Sequence, residues 1–155
     1  MRVNICSLVR IFRLYLISDV LQIIDLRCST GGRVIFVSTS LTIFSGVPPN
    51  YLLYNATKGA VQQLVRVLAK DLGSRGITVN AVAPGPTNTD LFTTGKSEQL
   101  LQFFANLHPA KRIAEPDEIS PVVAMLSREE SVWVNGQTIF VNGVSTVLLS
   151  VTCRC

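Results

Sequence analysis

The chain has 155 residues, 48% of them hydrophobic and 15% charged, with a formal net charge of +4. That length is enough for one domain with a packed core, and that composition excludes a disordered chain. Its 14 Lys and Arg residues are scattered rather than gathered in a stripe. No nucleic-acid-reading module accompanies them, so a nucleic-acid partner is set aside.

Residues 1–26 are apolar, but Arg10, Arg13, Asp19 and Asp25 interrupt them well short of a membrane span, so no membrane partner is expected. Apolar Ile5, Leu8, Val9, Phe12, Leu16, Val20, Ile23 and Ile24 recur at helical spacing and predict a buried amphipathic helix. The Arg-bearing, acid-free stretch up to Ser18 also fits a mitochondrial presequence. Cys6, Cys28, Cys153 and Cys155 form no C-x-x-C pair and have no histidine at zinc spacing, so no metal site is expected. Reduced thiols and a cytoplasmic location follow as expectations. The terminal Cys-Arg-Cys matches the ending of some prenylated GTPases, but nothing else here resembles one.

"GGRVIFVSTS" (residues 31–40) opens on a glycine turn and runs into Val34, Ile35, Phe36 and Val37, which reads as a buried parallel strand. Ser38, Thr39 and Ser40 fall at its carboxyl end, where open α/β sheets place ligands. After Pro48 and Pro49 a helix is predicted over 54–72, with Val61, Leu64, Val65, Leu68 and Leu72 as its buried stripe and Gly73 as its stop. "GITVNAVAPG" gives a second strand over 77–83, ended by Pro84 and Gly85. A helix is predicted near 97–107, and another begins near Pro116, with Pro121 expected to distort or shorten it. "GQTIFVNG" gives a third strand. Strands alternating with helices predict one domain with a parallel sheet between flanking helices. His108, the only histidine, lies beside Pro109 and reads as structural or solvent-facing.

"YNATK" places Tyr54 and Lys58 four residues apart, hence on one helix face a turn apart. A free tyrosine has a pKa of about 10, and a nearby ammonium favours the phenolate. Such a pair can serve in general acid–base chemistry, although Tyr and Lys at this spacing also occur by chance. Ser40 precedes Tyr54 by fourteen residues, across a strand-to-helix connection that can return to the same cleft. "NAVAPGPTNTD" (residues 80–90) adds a sharp turn at the end of the next strand.

The strand-end serine, the Y-x-x-x-K pair, "NAVAPGPTNTD" and the closing "VNGQTIFVNG" together resemble the short-chain dehydrogenase/reductase family, over residues 31–143. The resemblance implies a proton-transferring Tyr54, and a Lys58 that lowers its pKa and bonds the nicotinamide ribose. It implies that Ser40 holds the substrate carbonyl, and that Thr89, with the backbone at Thr87 and the Pro84-Gly85 turn, receives the nicotinamide end of NADP or NAD, NADP being favoured. A small carbonyl or alcohol substrate and a homo-oligomer are implied as well. Counted forward from Gly32-Arg33 the serine position falls on Thr39, and counted back from Tyr54 it falls on Ser40. Strand alternation would set Ser38 and Ser40 on the same face, so Ser38 is the runner-up; all three hydroxyls could also merely satisfy a strand end. The family's upstream asparagine, which carries a proton-relay water, has Asn4 as its candidate. The stretch from Asn4 to Gly32 is longer than the family normally allows, so a solvated terminal residue is the other reading.

The family also begins with a T-G-x-x-x-G-x-G turn whose following helix receives the cofactor pyrophosphate. No such glycine cluster occurs in this sequence. The expectation is therefore an incomplete Rossmann-type fold: a single truncated domain over 1–155 with an exposed sheet edge, an atypical tail over 144–155 and weak cofactor affinity. Two readings stay open. One is a reductase or dehydrogenase; the other is a chain without turnover that acts as a partner of itself or of longer relatives.

Overall fold

The computed structural model describes residues 30–144. Asn4, the predicted amphipathic helix and most of the atypical tail lie outside the described residues. The first strand, β1, is Arg33–Val37. A 3-10 turn over Ser40–Ile43 follows, then a second over Pro49–Tyr51 that runs directly into helix α1, Leu52–Leu72. Strand β2 is Thr78–Pro84. Three helices follow, α2 (Asp90–Thr93), α3 (Glu98–Leu107) and α4 (Pro116–Leu126), before β3 at Thr138–Val141.

The strands form one parallel sheet in the order β1-β2-β3, with Arg33 opposite Thr78 and Ala81 opposite Thr138. Each connection carries at least one helix, as a parallel pairing requires. Alternation from Ile77 into β2 sends Ile77, Val79 and Ala81 to one face. There they join Val65, Leu68, Ala69 and Leu72 of α1 in the buried core, with Val34 and Phe36 of β1 packed alongside. Burying each large side chain of this kind contributes about 1.5–3 kcal/mol. The other face of β2 is buried too, at Thr78, Asn80 and Val82, and α4 lies against β1 and β2 with its own Leu126 buried.

Two asparagines tie the lead-in to β3 onto this core. The Asn80 amide donates to the Val134 carbonyl (2.7 Å), and its oxygen accepts from the Gln137 N–H (3.0 Å). Asn135 Oδ1 accepts from the Val79 N–H (2.8 Å), and its Nδ2 reaches the Ala69 carbonyl of α1 (3.4 Å). Both asparagines thus satisfy partly buried backbone groups on either side of β2.

Three sequence expectations need correction. Helix α1 does end at Leu72, but Gly73 is right-handed (φ −59°) and starts a 3-10 turn over Gly73–Arg75; the left-handed stop is Gly76 at φ +68°. Pro121 neither shortens nor breaks α4, which continues for five residues beyond it. A proline there forfeits one bond, to the Asp117 carbonyl, while Pro116 at the first turn and the Glu118 carboxylate on the Glu115 N–H (2.8 Å) secure the start. Third, β1 stops at Val37, so strand alternation does not extend to Ser38 and Ser40.

Candidate active site

Parallel strands bring their carboxyl ends to one edge, and the candidate residues gather there. Two backbone bonds carry the ladder past the strands: Ser38 N–H to the Val82 carbonyl (2.8 Å) and Gly85 N–H to the Val141 carbonyl (2.9 Å). Helix α1 returns beside this edge with Tyr54, Lys58 and Gln62 at successive turns of one face.

Lys58 Nζ donates to the Val37 carbonyl at the end of β1 (2.8 Å). It also lies 5.9 Å from the centre of the Tyr54 ring, within cation–π range. The Tyr54 side chain is 44% exposed, so the phenol is open to a ligand, and the Tyr51 ring stands edge-on to it at 6.3 Å. The Tyr-Lys spacing seen in the sequence therefore becomes a real juxtaposition, with the ammonium held on the strand end.

The three hydroxyls after β1 have different tasks. Ser38 Oγ donates to the backbone carbonyl of Lys58 (3.1 Å) and accepts from the Gln62 amide (3.1 Å). Thr39 is the N-cap of the 3-10 turn, its oxygen accepting from the Leu41 N–H (3.3 Å). Ser40 is buried, and its hydroxyl makes no hydrogen bond among the described residues. Two of the three candidates thus already have structural partners.

The turn after β2 is braced from the α4 side. Thr87 forms a parallel bridge with Ala114: Asn88 N–H donates to the Ala114 carbonyl and Ala114 N–H to that of Pro86. That pattern turns the Thr87 N–H away from Ala114, while its hydroxyl donates to the Gly85 carbonyl (3.0 Å). Thr89 is the N-cap of α2 and accepts from the Phe92 N–H (3.3 Å), which leaves its hydroxyl hydrogen for another acceptor. The Asn88 amide reaches the Glu115 carboxylate at 3.1 Å.

A cavity of about 210 Å³ lies beside the end of β3, lined by Pro86, His108, Arg112, Glu118, Val141 and Gly143 among others, but not by Tyr54, Lys58 or Ser40. His108 Nδ1 accepts from the Ala110 N–H (2.9 Å), a structural role, and a Cβ on Gly143 would overlap the His108 ring. Arg112 and Glu118 form a bidentate pair, both bonds at 2.6 Å. The Arg112 hydrogen bonds, helped by the Glu115 N–H, pull the Glu118 carboxyl down to about 2. The sequence reading missed this pair and Gln62; only the i, i+4 spacing of Gln62 from Lys58 could have flagged the latter. Among the described residues no group of three His, Cys, Asp or Glu could hold a metal ion, and no helix is long and apolar enough to cross a membrane.

The profile of a family described as Enoyl-(Acyl carrier protein) reductase matches residues 3–144, nearly the whole chain. A "Short-chain type dehydrogenase/reductase" of Picea abies is 42% identical over 114 residues. The chain belongs to the short-chain dehydrogenase/reductase family. The Picea protein is matched over 73% of this chain and 41% of its own length. An Arabidopsis thaliana "NADPH-dependent aldehyde reductase-like protein, chloroplastic" is 42% identical over 113 residues, with the same coverage. Among solved structures of the family, the angucycline C-6 ketoreductase LanV with bound NADP superposes with a TM-score of 0.74 at 34% identity, over 83% of this chain and 49% of LanV. The chain therefore spans less than half the length of these relatives, and its three-stranded parallel sheet with flanking helices is part of their Rossmann-type fold.

Proposed function

We propose that this chain carries the catalytic part of an NADP-dependent short-chain reductase that interconverts a small carbonyl compound and its alcohol. The observation that carries the reading is Lys58, fixed on the end of β1 one helical turn from an open Tyr54 phenol. Tyr54 exchanges a proton with the substrate oxygen, the step that lets an alkoxide leave as an alcohol. Ser40 donates its uncommitted hydroxyl to the same oxygen. The competing use of Ser38 is disfavoured, because its hydrogen is already directed at the Lys58 carbonyl.

The residues present fit the nicotinamide end of the cofactor. Lys58, the Pro84-Gly85 turn, the outward Thr87 N–H and the spare Thr89 hydroxyl would hold it at the sheet edge. When bound, the cofactor would supply the hydride as NADPH and accept it as NADP⁺ in the reverse direction. The named ligands of the relatives, NADPH for the Arabidopsis protein and NADP for LanV, favour the phosphorylated cofactor. An aldehyde or ketone is the substrate class that agrees with their names.

The test joins this sequence behind the amino-terminal half of the Picea abies relative and follows NADPH consumption with aldehydes and aromatic ketones, alongside the 155-residue chain itself. Tyr54→Phe is expected to lower turnover by about 10²–10⁴-fold with unchanged thermal stability. A Tyr54→Phe protein that keeps more than about half the parent rate ends this assignment.

A second reading has its own support. Leu52 and Leu53 of α1 are about three-quarters exposed and Val67 two-thirds exposed, and β1 is an edge strand of the described sheet. Such a surface suits pairing with a second copy or a longer relative, with no turnover by this chain. Size-exclusion chromatography with light scattering, run beside the rate assay, separates the two readings.

A further inference from the structure

We propose that Gln62 is a positioning residue of this site, holding the corner between β1 and α1 so that Ser40 is presented to Tyr54 and Lys58. The inference rests on the Ser40–Tyr54–Lys58 reading above, but its physical basis stands apart from it. Gln62 Nε2 donates to Ser38 Oγ (3.1 Å) and to Thr42 Oγ1 (2.7 Å). Each hydroxyl has already directed its own hydrogen elsewhere: Ser38 to the Lys58 carbonyl (3.1 Å), Thr42 to the Thr39 carbonyl (2.9 Å). Both oxygens are therefore acceptors, and the site needs one group that donates twice from one atom.

A carboxamide NH₂ does this while neutral. A glutamate at 62 would donate nothing and would force both hydroxyls to turn, abandoning the Lys58 and Thr39 carbonyls. A methionine of similar length would leave two partly buried oxygens short of a donor. Ser40 lies midway in sequence between the two pinned residues, at the start of a 3-10 turn whose Leu41 N–H is capped by Thr39. One amide thus fixes both sides of the residue whose hydroxyl has no hydrogen bond among the described residues. The same network reaches Lys58 from behind. Its main-chain carbonyl is held by Ser38 while its ammonium is held by Val37. Three residues at successive turns of α1 then have distinct tasks: proton transfer at Tyr54, charge at Lys58, placement at Gln62.

The deciding experiment is amide hydrogen exchange on the full 155-residue chain, comparing the parent with Gln62→Met and Gln62→Glu. Both variants should speed exchange in residues 38–43 by about 10-fold or more, while residues 79–83 of β2 and 65–72 of α1 keep the parent rates. Unchanged exchange at 38–43, or a rise spread equally over β2 and α1, overturns the pinning role. Steady-state kinetics in the NADPH assay then test what the pinning is for. A misplaced hydroxyl should lower kcat by about 10-fold or more while the KM for NADPH stays within about 2-fold, because the Lys58–Val37 bond is untouched. Faster exchange with unchanged kcat would reduce Gln62 to a structural brace. Should Tyr54→Phe itself leave turnover intact, the proposed function fails, and the exchange data still decide whether Gln62 holds the corner.

Discussion

Replacing Lys58 by Met separates a catalytic lysine from a bracing one, because the structure sets an upper bound on the structural cost. Methionine keeps most of the aliphatic stem and removes the ammonium, so the bond to the Val37 carbonyl is lost. Hydrogen bonds to charged groups contribute about 1.5–3 kcal/mol when water cannot replace them. Here the bond is exposed and Val37 itself is 57% exposed, so water takes over the carbonyl and the expected loss is below about 1 kcal/mol. In a chain of this size that lowers Tm by no more than about 2–4 °C. The chemical cost should be far larger. Without the cation the phenol loses its charged neighbour and the cofactor loses a polar contact, so kcat/KM should fall by about 10²-fold or more. Circular dichroism melting gives the first quantity, and NADPH consumption in the chimera with the Picea amino-terminal half gives the second. A variant within about 2-fold of the parent rate, with an unchanged Tm, would show that Lys58 has no part in turnover. A Tm drop above about 10 °C would show instead that the strand-end bond is a major brace and that water does not replace it.

Asn80→Ala should lower stability by about 1–3 kcal/mol in chemical unfolding, since it leaves the Val134 carbonyl and the Gln137 N–H unpaired in a partly buried region; a loss below about 0.5 kcal/mol would mean that water replaces the amide. Val144 has φ +67°, a left-handed conformation that strains a β-branched residue by about 1–2 kcal/mol. Val144→Gly relieves that strain but adds about 0.5–1 kcal/mol of unfolded-state freedom, so a net gain of about 0.5–1 kcal/mol is expected, and any loss of stability would contradict the strain argument. Glu118 has a folded pKa of about 2 against an ordinary value of 4.5, held down first by Arg112 and then by the Glu115 N–H. The pair's contribution should therefore be present above pH 4.5 and fade as the pH falls toward 2. Glu118→Gln should flatten that part of the Tm–pH curve, and because the pair is exposed, added salt should flatten it as well; parallel curves for parent and variant would refute the assignment.

What the sequence determined by itself is what local periodicity and local chemistry encode. Val34 to Val37, the apolar stripe of α1 and the β-branched run of β2 specify their elements because strand and helix repeats differ. Tyr54 and Lys58 were legible for the same reason: four residues on a helix fix a direction whatever surrounds it. Pro116 at the start of α4 also announced its helix through a local first-turn rule. The choice among Ser38, Thr39 and Ser40 was not legible, since all three are hydroxyls at one strand end. Lys58 and Gln62, some 20 residues away, engage Ser38, and that contact supports the proposal of Ser40 for the substrate. Gly73 was the expected helix stop; Gly76 instead takes the left-handed turn, beside the Arg75 carbonyl that accepts from the Gly31 N–H ahead of β1. Asn80 and Asn135 stood in the quoted motifs with no task assigned to either, and strand pairing, which brings β2 beside the lead-in to β3, gave each its backbone partners. Those decisions belong to tertiary structure for one physical reason. A buried polar group must find its partner wherever the chain brings one, and that address is not written in the residues next to it.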